Sequence, residues 1–280
     1  MFPKAVDQHK PQKPLIPNGL GVFFVLISVV NLFLFHYFDY ERALPLAGCI
    51  LFGGFMGLLD DWIDLRWRYK AFLPIIAAIP LSALASDFAL RTSISVIFTD
   101  IDFGIYYYFL IIPLIVTVTT NTVNQLGGLN GLETICPSII MAGLMIASTS
   151  HAPLLYVPLV VTLSLAYFNF QGKIFVGNTG SFAFGITLAS FAIIADIKFV
   201  LLFSIAPYIF NSAFKLLNFF IFKTKPELIL EGSKLQANHR RSLITLIGYK
   251  RPLTERQIVS IISLLFVLST VTSVLVWILL

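Results

Sequence analysis

Three aspartates stand together where a long apolar run ends, at Asp60, Asp61 and Asp64. On a helix, Asp60 and Asp64 would share a face, with Asp61 about 100° away. Carboxylates gathered beside an apolar segment repel one another and cost desolvation energy unless a cation is present. The cluster therefore indicates a general base or a site for Mg²⁺ or Mn²⁺, both of which bind oxygen ligands. The alternative is a solvated helix end balanced by Arg66 and Arg68.

Lys70 follows the aspartates by one or two helical turns. Its ammonium could hold a phosphate as a compact point charge. Phosphate oxygens commonly share a Mg²⁺ ion with carboxylates. Together, the aspartates and Lys70 favour chemistry on a phosphorylated substrate.

A second polar segment, 121–131, combines amides with glycines. Its members are Asn121, Asn124, Asn130, Gly127, Gly128 and Gly131. Glycines let the backbone approach a ligand, and Asn side chains offer both donors and acceptors for a base edge or a metal. The alternative is an ordinary Asn/Gly turn between two apolar runs.

The segment Phe175-Val-Gly-Asn178-Thr179-Gly-Ser181 opens another apolar run. Thr179 or Ser181 could cap the helix that begins there, and the helix N-terminus would favour an anion. A capped helix start with no ligand is the alternative.

The segment 223–257 is too long for a simple connection and is expected to be functional. His239, Arg240 and Arg241 offer donors for phosphate oxygens. The apolar residues of 243–247 could form a short amphipathic helix on a bilayer surface. Plain basic charge on the inner face of a membrane is the alternative.

These segments must be positioned by membrane helices, because 58% of the 280 residues are hydrophobic and only 12% are charged. Mean hydropathy is +0.89. A soluble domain is about 45–50% apolar and about 25% charged. We expect an all-α, polytopic membrane helix bundle of a single domain, 1–280, in which polar loops form the site. The predicted spans are 15–38, 43–59, 71–86, 104–120, 132–148, 153–170, 180–197, 199–222 and 258–280.

The basic residues predict the orientation. With nine spans, 15 Lys and Arg residues fall on one side and three on the other, while Lys215 lies inside a span. The positive-inside rule then places the N-terminus in the cytoplasm and the C-terminus outside. All the chemistry-bearing segments lie on the cytoplasmic side, which suits an enzyme with one soluble and one membrane-bound substrate better than a transporter. The net charge of +5 follows this pattern, so no nucleic-acid partner is expected.

The order and content of these segments resemble the polyprenyl-phosphate N-acetylhexosamine-1-phosphate transferase superfamily. DDWIDLRWRYK resembles the family's DD(x)2(D/N)LRWRHK, NTVNQLGGLNGLE its TNAxNxxxGxNGLE, and FVGNTGS its F(V/M)GDTGS. VDQHKPQKPLIPNGLG is a looser match to D(x)2K(x)2RPxIPExxG, which brings in Lys10. The chain is most similar to the eukaryotic and archaeal branch.

The resemblance implies residue roles. Asp60 and Asp61 match catalytic aspartates, and Asn124 matches a Mg²⁺ ligand. The substrate contacts it implies are Lys70 for the diphosphate and Asn130 for uracil, with Lys10, Asp64 and Asn121 beside them. The family's diphosphate-binding arginines have no clear match, and their place falls to Lys223 and Lys225 or to His239, Arg240 and Arg241.

Two departures from the family pattern matter. Asn178 stands where the family has a Mg²⁺-binding Asp, and an amide oxygen brings no charge to a metal site. The family also has ten spans, one of them before the DQHK segment, so we expect either a start upstream of Met1 or the loss of a helix.

The resemblance implies a Mg²⁺-dependent transfer of N-acetylhexosamine-1-phosphate, with GlcNAc-1-phosphate expected, from a UDP-sugar to a polyprenyl or dolichyl phosphate. The reaction would occur at the cytoplasmic face of the plasma membrane in a prokaryote or of the endoplasmic reticulum in a eukaryote. A homodimer is considered as the assembly. The alternatives are a catalytically impaired relative that binds nucleotide-sugar or lipid, suggested by Asn178, and a multipass transporter.

Overall fold

The computed structural model describes residues 2–84, 90–96, 99–223 and 227–279. The described chain is mostly helical, as the apolar runs predict. The helices are α1 (Gly21–Tyr37), α2 (Ala43–Ile63), α3 (Trp67–Ala77), α4 (Ile79–Leu84), α5 (Ile112–Gln125), α6 (Leu132–Ala147), α7 (Pro153–Phe170), α8 (Gly177–Ile194), α9 (Lys198–Ser204), α10 (Ala206–Phe222), α11 (Leu243–Ile247) and α12 (Glu255–Leu279). A π-helical turn, Tyr107–Ile111, leads directly into α5.

In the described part of the chain, three antiparallel hairpins accompany the helices, and the sequence did not predict them. Their strands are β1 (Lys4–Val6) with β2 (Leu15–Pro17), β3 (Ser93–Val96) with β4 (Thr99–Asp102), and β5 (Ile229–Glu231) with β6 (Lys234–Gln236). Each lies in a segment that the sequence assigned to a polar loop or, for Leu15–Pro17, to the start of the first span.

Among the described residues, five helices are long and apolar enough to cross a membrane. They are α2, α5 with its π-helical turn, α7, α8 and α12. Helices α9 and α10 would add a sixth if they form one span, although they are bent by 56°. Helices α1 and α6, of 17 and 16 residues, are apolar but shorter. The chain is thus a polytopic helical membrane protein, and the count of nine spans stays a prediction.

The third predicted span, 71–86, differs most from the structure. It breaks into α3 and α4 at Ala78, and its last two residues lie outside the described part. Helices of 11 and 6 residues are each too short to cross about 30 Å of hydrocarbon. Pro74 and Pro80 explain the break, since each removes a backbone donor within the apolar run.

The first predicted span begins too early. Leu15–Pro17 is a strand paired with Lys4–Val6, and helix α1 begins only at Gly21. Pro14 and Pro17 interrupt any helix at this point, because each removes a backbone donor and constrains the residue before it. The hairpin brings Asp7 and Lys10 from the terminal segment to the end of the bundle where α8 begins.

Helix α8 is the centre of the bundle. Every residue from Thr179 to Ile194 is buried, and the helix packs against α2, α5 and α1. Helix α2 approaches α8 closely at Gly57, where an added Cβ would lie 2.3 Å from the carbonyl oxygen of Asn178. Glycine at this position therefore allows the end of α2 to reach the start of α8.

Helix α11 lies in the long loop and starts with a capping box formed by Ser242 and Thr245. Leu243 and Ile244 are buried, and the amide of Leu243 donates to Oδ1 of Asn211 on α10. Leu243 and Ile244 therefore pack within the protein and do not face a bilayer, whereas Leu246 is exposed and its bilayer contact stays a prediction.

Candidate active site

The end of α2, the segment between α5 and α6, the start of α8 and the β1–β2 hairpin surround a cavity of about 320 Å³. This volume is within the range of small-molecule sites. The cavity is lined from the terminal segment by Asp7, His9 and Asn18. The other lining residues are Asp61 of α2, Gly128, Leu129 and Glu133 in or just after the second polar segment, and Phe175, Gly177, Asn178 and Ser181 at the start of α8.

Asp60 is buried at the end of α2, and its two carboxylate oxygens have different surroundings. Its Oδ1 accepts from the amide of Leu65 at 2.9 Å and lies 2.8 Å from Nζ of Lys70. Its Oδ2 is buried and has no hydrogen-bond partner among the described residues. A buried carboxylate oxygen without a donor is costly, so this atom is available for a proton, a cation or a substrate group.

Lys70 holds the aspartate cluster together. Its Nζ is also 3.3 Å from Oδ1 of Asp64, which is exposed at the end of α2 with a left-handed backbone conformation. Partial burial opposes the charge of Lys70, but the hydrogen bonds and the attraction from Asp60 and Asp64 outweigh it and raise the pKa of the ammonium. Lys70 is therefore fully charged at neutral pH. A phosphate at this position would share the ammonium with the two carboxylates.

Asp61 caps the N-terminus of α8. Its Oδ1 accepts from the amide of Asn178 at 2.8 Å, and its Oδ2 accepts from the amide and the hydroxyl of Thr179 at 2.9 and 2.7 Å. The prediction that Thr179 or Ser181 caps this helix is wrong, because the capping carboxylate comes from another helix. A negative charge at a helix N-terminus is stabilised by the unpaired amides and the dipole.

Ser181 links Asn124 to the first turn of α8, which carries Asn178. The Ser181 hydroxyl donates to Oδ1 of Asn124 at 2.7 Å and lies 3.3 Å from the backbone carbonyl oxygen of Asn178. The end of α5 and the first turn of α8 are thus in contact, and the binding of a metal by Asn124 and Asn178 stays a prediction. Their amide oxygens, with the unpartnered Oδ2 of Asp60 and the carboxylate of Asp61, are hard oxygen donors of the kind that Mg²⁺ prefers.

Asn130 is buried next to the cavity-lining Asp7 and is held by two carboxylates. Its Nδ2 donates to Oδ2 of Asp7 at 2.8 Å and to Oε1 of Glu255 at 2.9 Å, and its backbone amide donates to the same Glu255 oxygen at 2.7 Å. Its Oδ1 is buried without a partner among the described residues. Lys10 lies 3.2 Å from Oδ2 of Asp7, so the structure also places this predicted residue beside Asn130.

Asn121 contacts helix α3 and does not line the cavity. Its Nδ2 donates to the backbone carbonyl of Ala71 at 3.1 Å, which joins α5 to α3. Asn121 is not among the described residues that line the cavity. Its predicted substrate contact stays a prediction.

The basic group of the long loop does not line this cavity. In the described chain, His239, Arg240 and Arg241 are not among its lining residues. The Nε2 of His239 accepts from the amide of Glu227, and burial together with nearby Arg241 lowers the pKa of His239. The guanidinium of Arg240 lies 4.3 Å from the ring centre of Tyr249. Their phosphate role stays a prediction, and Lys225 lies outside the described residues.

Three positioning residues were missed from the sequence. They are Asp7 and Glu255, which hold Asn130, and Asn169 at the end of α7. The side-chain oxygen of Asn169 accepts from the amide of Gly131 at 2.8 Å and from the Thr134 hydroxyl at 3.2 Å. A buried amide closing an apolar run was a usable signal for Asn169. No sequence signal pointed to Glu255, since an acidic residue in the first turn of a helix is common.

A family model for glycosyl transferase family 4 matches residues 43–196, more than half of the chain. The chain belongs to glycosyl transferase family 4. The family-matched range contains Asp60, Asp61, Asn124 and Asn178, whereas Asp7 and Glu255 lie outside it. The predicted family is confirmed.

Family members named for their activity are similar over most of the chain. A putative UDP-N-acetylglucosamine–dolichyl-phosphate N-acetylglucosaminephosphotransferase of Saccharolobus solfataricus is 32% identical over 224 residues, covering 75% of this chain and 68% of the relative. The corresponding Dictyostelium discoideum protein is 29% identical, covering 87% and 72%. A phospho-N-acetylmuramoyl-pentapeptide-transferase of Bacillus cytotoxicus is 26% identical, covering 82% and 76%.

Proposed function

We propose that this protein transfers GlcNAc-1-phosphate from UDP-GlcNAc to a polyprenyl phosphate, with dolichyl phosphate as the expected acceptor. The observation that carries the proposal is how four residues of the family-matched range lie around one cavity. Asp61 and Asn178 line it, Asp60 directly precedes Asp61, and Asn124 accepts a hydrogen bond from the cavity-lining Ser181. The activities for which the archaeal and eukaryotic relatives are named support the choice of sugar and carrier.

In the proposed reaction, an oxygen of the lipid phosphate attacks the β-phosphorus of the UDP-sugar. A new P–O bond forms, the bond from the β-phosphorus to the bridging oxygen breaks, and UMP leaves with the electron pair. Asp60 is the candidate base, because its Oδ2 is buried with no partner among the described residues. Lys70, charged at neutral pH and held by Asp60, supplies positive charge for phosphate oxygens.

The donor set near Asn124 and Asn178 fits a divalent cation. Mg²⁺ bound there would offset negative charge on the diphosphate as the bond to the leaving group breaks. The amide oxygens of Asn124 and Asn178 would hold it, with Asp60 or Asp61 as the charged ligand. Asp61 keeps the start of α8 in place, so it positions Asn178 whether or not it contacts the ion.

The proposed reaction takes place at the cytoplasmic face of the membrane. Support comes from the 15 Lys and Arg residues that nine spans would place on the side of the site. In a prokaryote this is the plasma membrane, and in a eukaryote it is the endoplasmic reticulum. The lipid acceptor stays in the bilayer while UDP-GlcNAc arrives from the cytoplasm.

The test is a transfer assay with purified protein, radiolabelled UDP-GlcNAc and dolichyl phosphate in detergent micelles. A lipid-linked, radiolabelled product and stoichiometric UMP are expected, and a panel of UDP-sugars defines the donor. Binding of UDP-GlcNAc without product would favour the impaired relative that Asn178 suggests. Neither binding nor product would contradict the proposal.

A further inference from the structure

Lys215 of α10 is a cation inside a predicted span for which the proposed reaction gives no role. Its side chain is partly buried, and its Nζ donates to the backbone carbonyl of Gln125, the last residue of α5. No carboxylate lies within ion-pair distance of it in the described part of the chain, whereas Lys10 and Lys198 each have one and Lys70 has two. A charge at membrane depth is costly, so an unpaired one indicates a function.

Lys215 lines a small cavity of about 140 Å³. Gly127 and Gly128 line it from the second polar segment, and Ser242 and Thr245 line it from the start of α11. Gly128, Leu129 and His9 also line the 320 Å³ cavity, so the two spaces adjoin. The residue that Lys215 contacts, Gln125, directly follows Asn124.

The chemistry of this cavity suits a phosphate group. A lysine ammonium binds phosphate as a point charge, and its flexible stem can move from a carbonyl to a better acceptor. The volume is too small for a nucleoside, since sites for drug-sized ligands are about 300 Å³ or more. On the outer side of α10, Leu217, Phe220 and Ile221 are exposed, as expected beside lipid chains.

We propose that Lys215 is the cation of a phosphate subsite next to Asn124. The subsite takes a phosphate group from the acceptor lipid or from the donor diphosphate, and the exposed apolar residues of α10 favour the lipid. This inference rests on the proposed function, because it assigns a place to one of that reaction's phosphates. Lys215 would hold this phosphate beside the donor site until transfer.

A structural role for Lys215 is the competing explanation. A cation at the C-terminal carbonyl of a helix stabilises that helix end. Asn211 Nδ2 lies 3.4 Å from the same Gln125 oxygen and could maintain this contact. Lys215→Gln separates the two roles, because its amide can still donate to Gln125 but has no charge. Lys215→Arg keeps the charge, and Lys198→Gln is a matched control at a lysine that already pairs with Asp196.

The experiment measures binding to purified full-length protein in detergent, comparing polyprenyl phosphate with polyprenol and UDP with uridine. In the wild type, the phosphate-bearing form of at least one pair should bind more tightly. Lys215→Gln should reduce this phosphate advantage about tenfold, while Lys215→Arg and Lys198→Gln keep most of it. A loss for the lipid pair assigns the subsite to the acceptor, and a loss for UDP assigns it to the donor.

Unchanged phosphate advantages in folded Lys215→Gln would overturn the inference. If that variant does not fold, amine acetylation of the wild type replaces it: polyprenyl phosphate or UDP should protect Lys215, whereas polyprenol and uridine should not. Equal labelling in all four cases also overturns the inference. The binding measurements do not depend on turnover. If the wild type forms no lipid-linked product, the proposed function is contradicted, and the binding measurements still decide whether Lys215 holds a phosphate.

Discussion

At the residue scale, Asn178 is a neutral amide where the family pattern has a carboxylate, at the start of α8 and beside Asn124. We expect Asn178→Asp to lower the Mg²⁺ concentration for half-maximal rate several-fold. A unit negative charge about 4 Å from a cation gains about 4 kcal/mol per unit of cation charge at an effective dielectric of about 20, before desolvation is subtracted. Rate against Mg²⁺ concentration, measured for both forms, gives the shift.

Thermal unfolding supplies the control for Asn178→Asp. An aspartate in the first turn of α8 is favourable for the helix, so the variant should fold. Added Mg²⁺ should raise its Tm more than that of the wild type, because ligands that bind only the folded state stabilise it. An active variant with an unmoved Mg²⁺ curve would remove position 178 from the metal site.

Substitution of Asp60 and of Asp61 should abolish transfer for different reasons. Asp60→Asn removes the candidate base and the buried partner of Lys70, so transfer should be lost while the protein still folds and inserts. Asp61→Asn removes a charged cap that accepts three hydrogen bonds, so it should also lower stability by about 1–2 kcal/mol. Turnover and thermal unfolding of both variants test this, and near-wild-type turnover in both would contradict their catalytic assignment.

At the element scale, the crossing of α2 and α8 fixes the distance between the aspartates and Asn178. Gly57→Ala would place a Cβ 2.3 Å from the backbone oxygen of Asn178, so α8 must shift at its N-terminus. We expect transfer to fall by more than tenfold at a stability cost of about 1–3 kcal/mol. Initial rates and unfolding measurements on the same preparations separate the two effects.

Gly53→Ala is the matched control on the same helix. Its Cβ would meet Cδ1 of Ile186 at 2.4 Å, which is the far end of a flexible side chain and can rotate away. This variant should therefore keep most of its activity. Equal activity losses in Gly53→Ala and Gly57→Ala would mean that the start of α8 is not specially sensitive.

At the scale of the whole molecule, the prediction of nine spans places the two ends of the chain on opposite sides of the membrane. A single reactive cysteine added after Leu280 should be labelled from outside sealed cells and not from the cytoplasm. Cys49 and Cys136 are buried and free, so they should contribute little background and can be replaced. Labelling only from the cytoplasmic side would mean that the span count is wrong by an odd number.

The helical content and the end of the bundle that carries the chemistry could be predicted from local sequence, because long apolar runs and clustered polar groups have few other stable arrangements in a membrane. Span lengths were predicted less well. The apolar run at 71–86 contains Pro74 and Pro80 and divides into α3 and α4, and the run at 199–222 bends by 56° at Ile205. Composition shows how apolar a segment is, but it does not show whether the segment forms one continuous helix.

By itself, the sequence determined the family, the membrane class and the residue types available for catalysis, since these depend on composition and on motifs short enough to read in one stretch. Only the tertiary structure decided which atoms are in use. It assigned Asp61 to cap α8, Asp7 and Glu255 to hold Asn130, and Lys215 to a cavity beside Asn124. These contacts join residues more than 85 positions apart, and such pairs are set by how helices pack rather than by any local pattern.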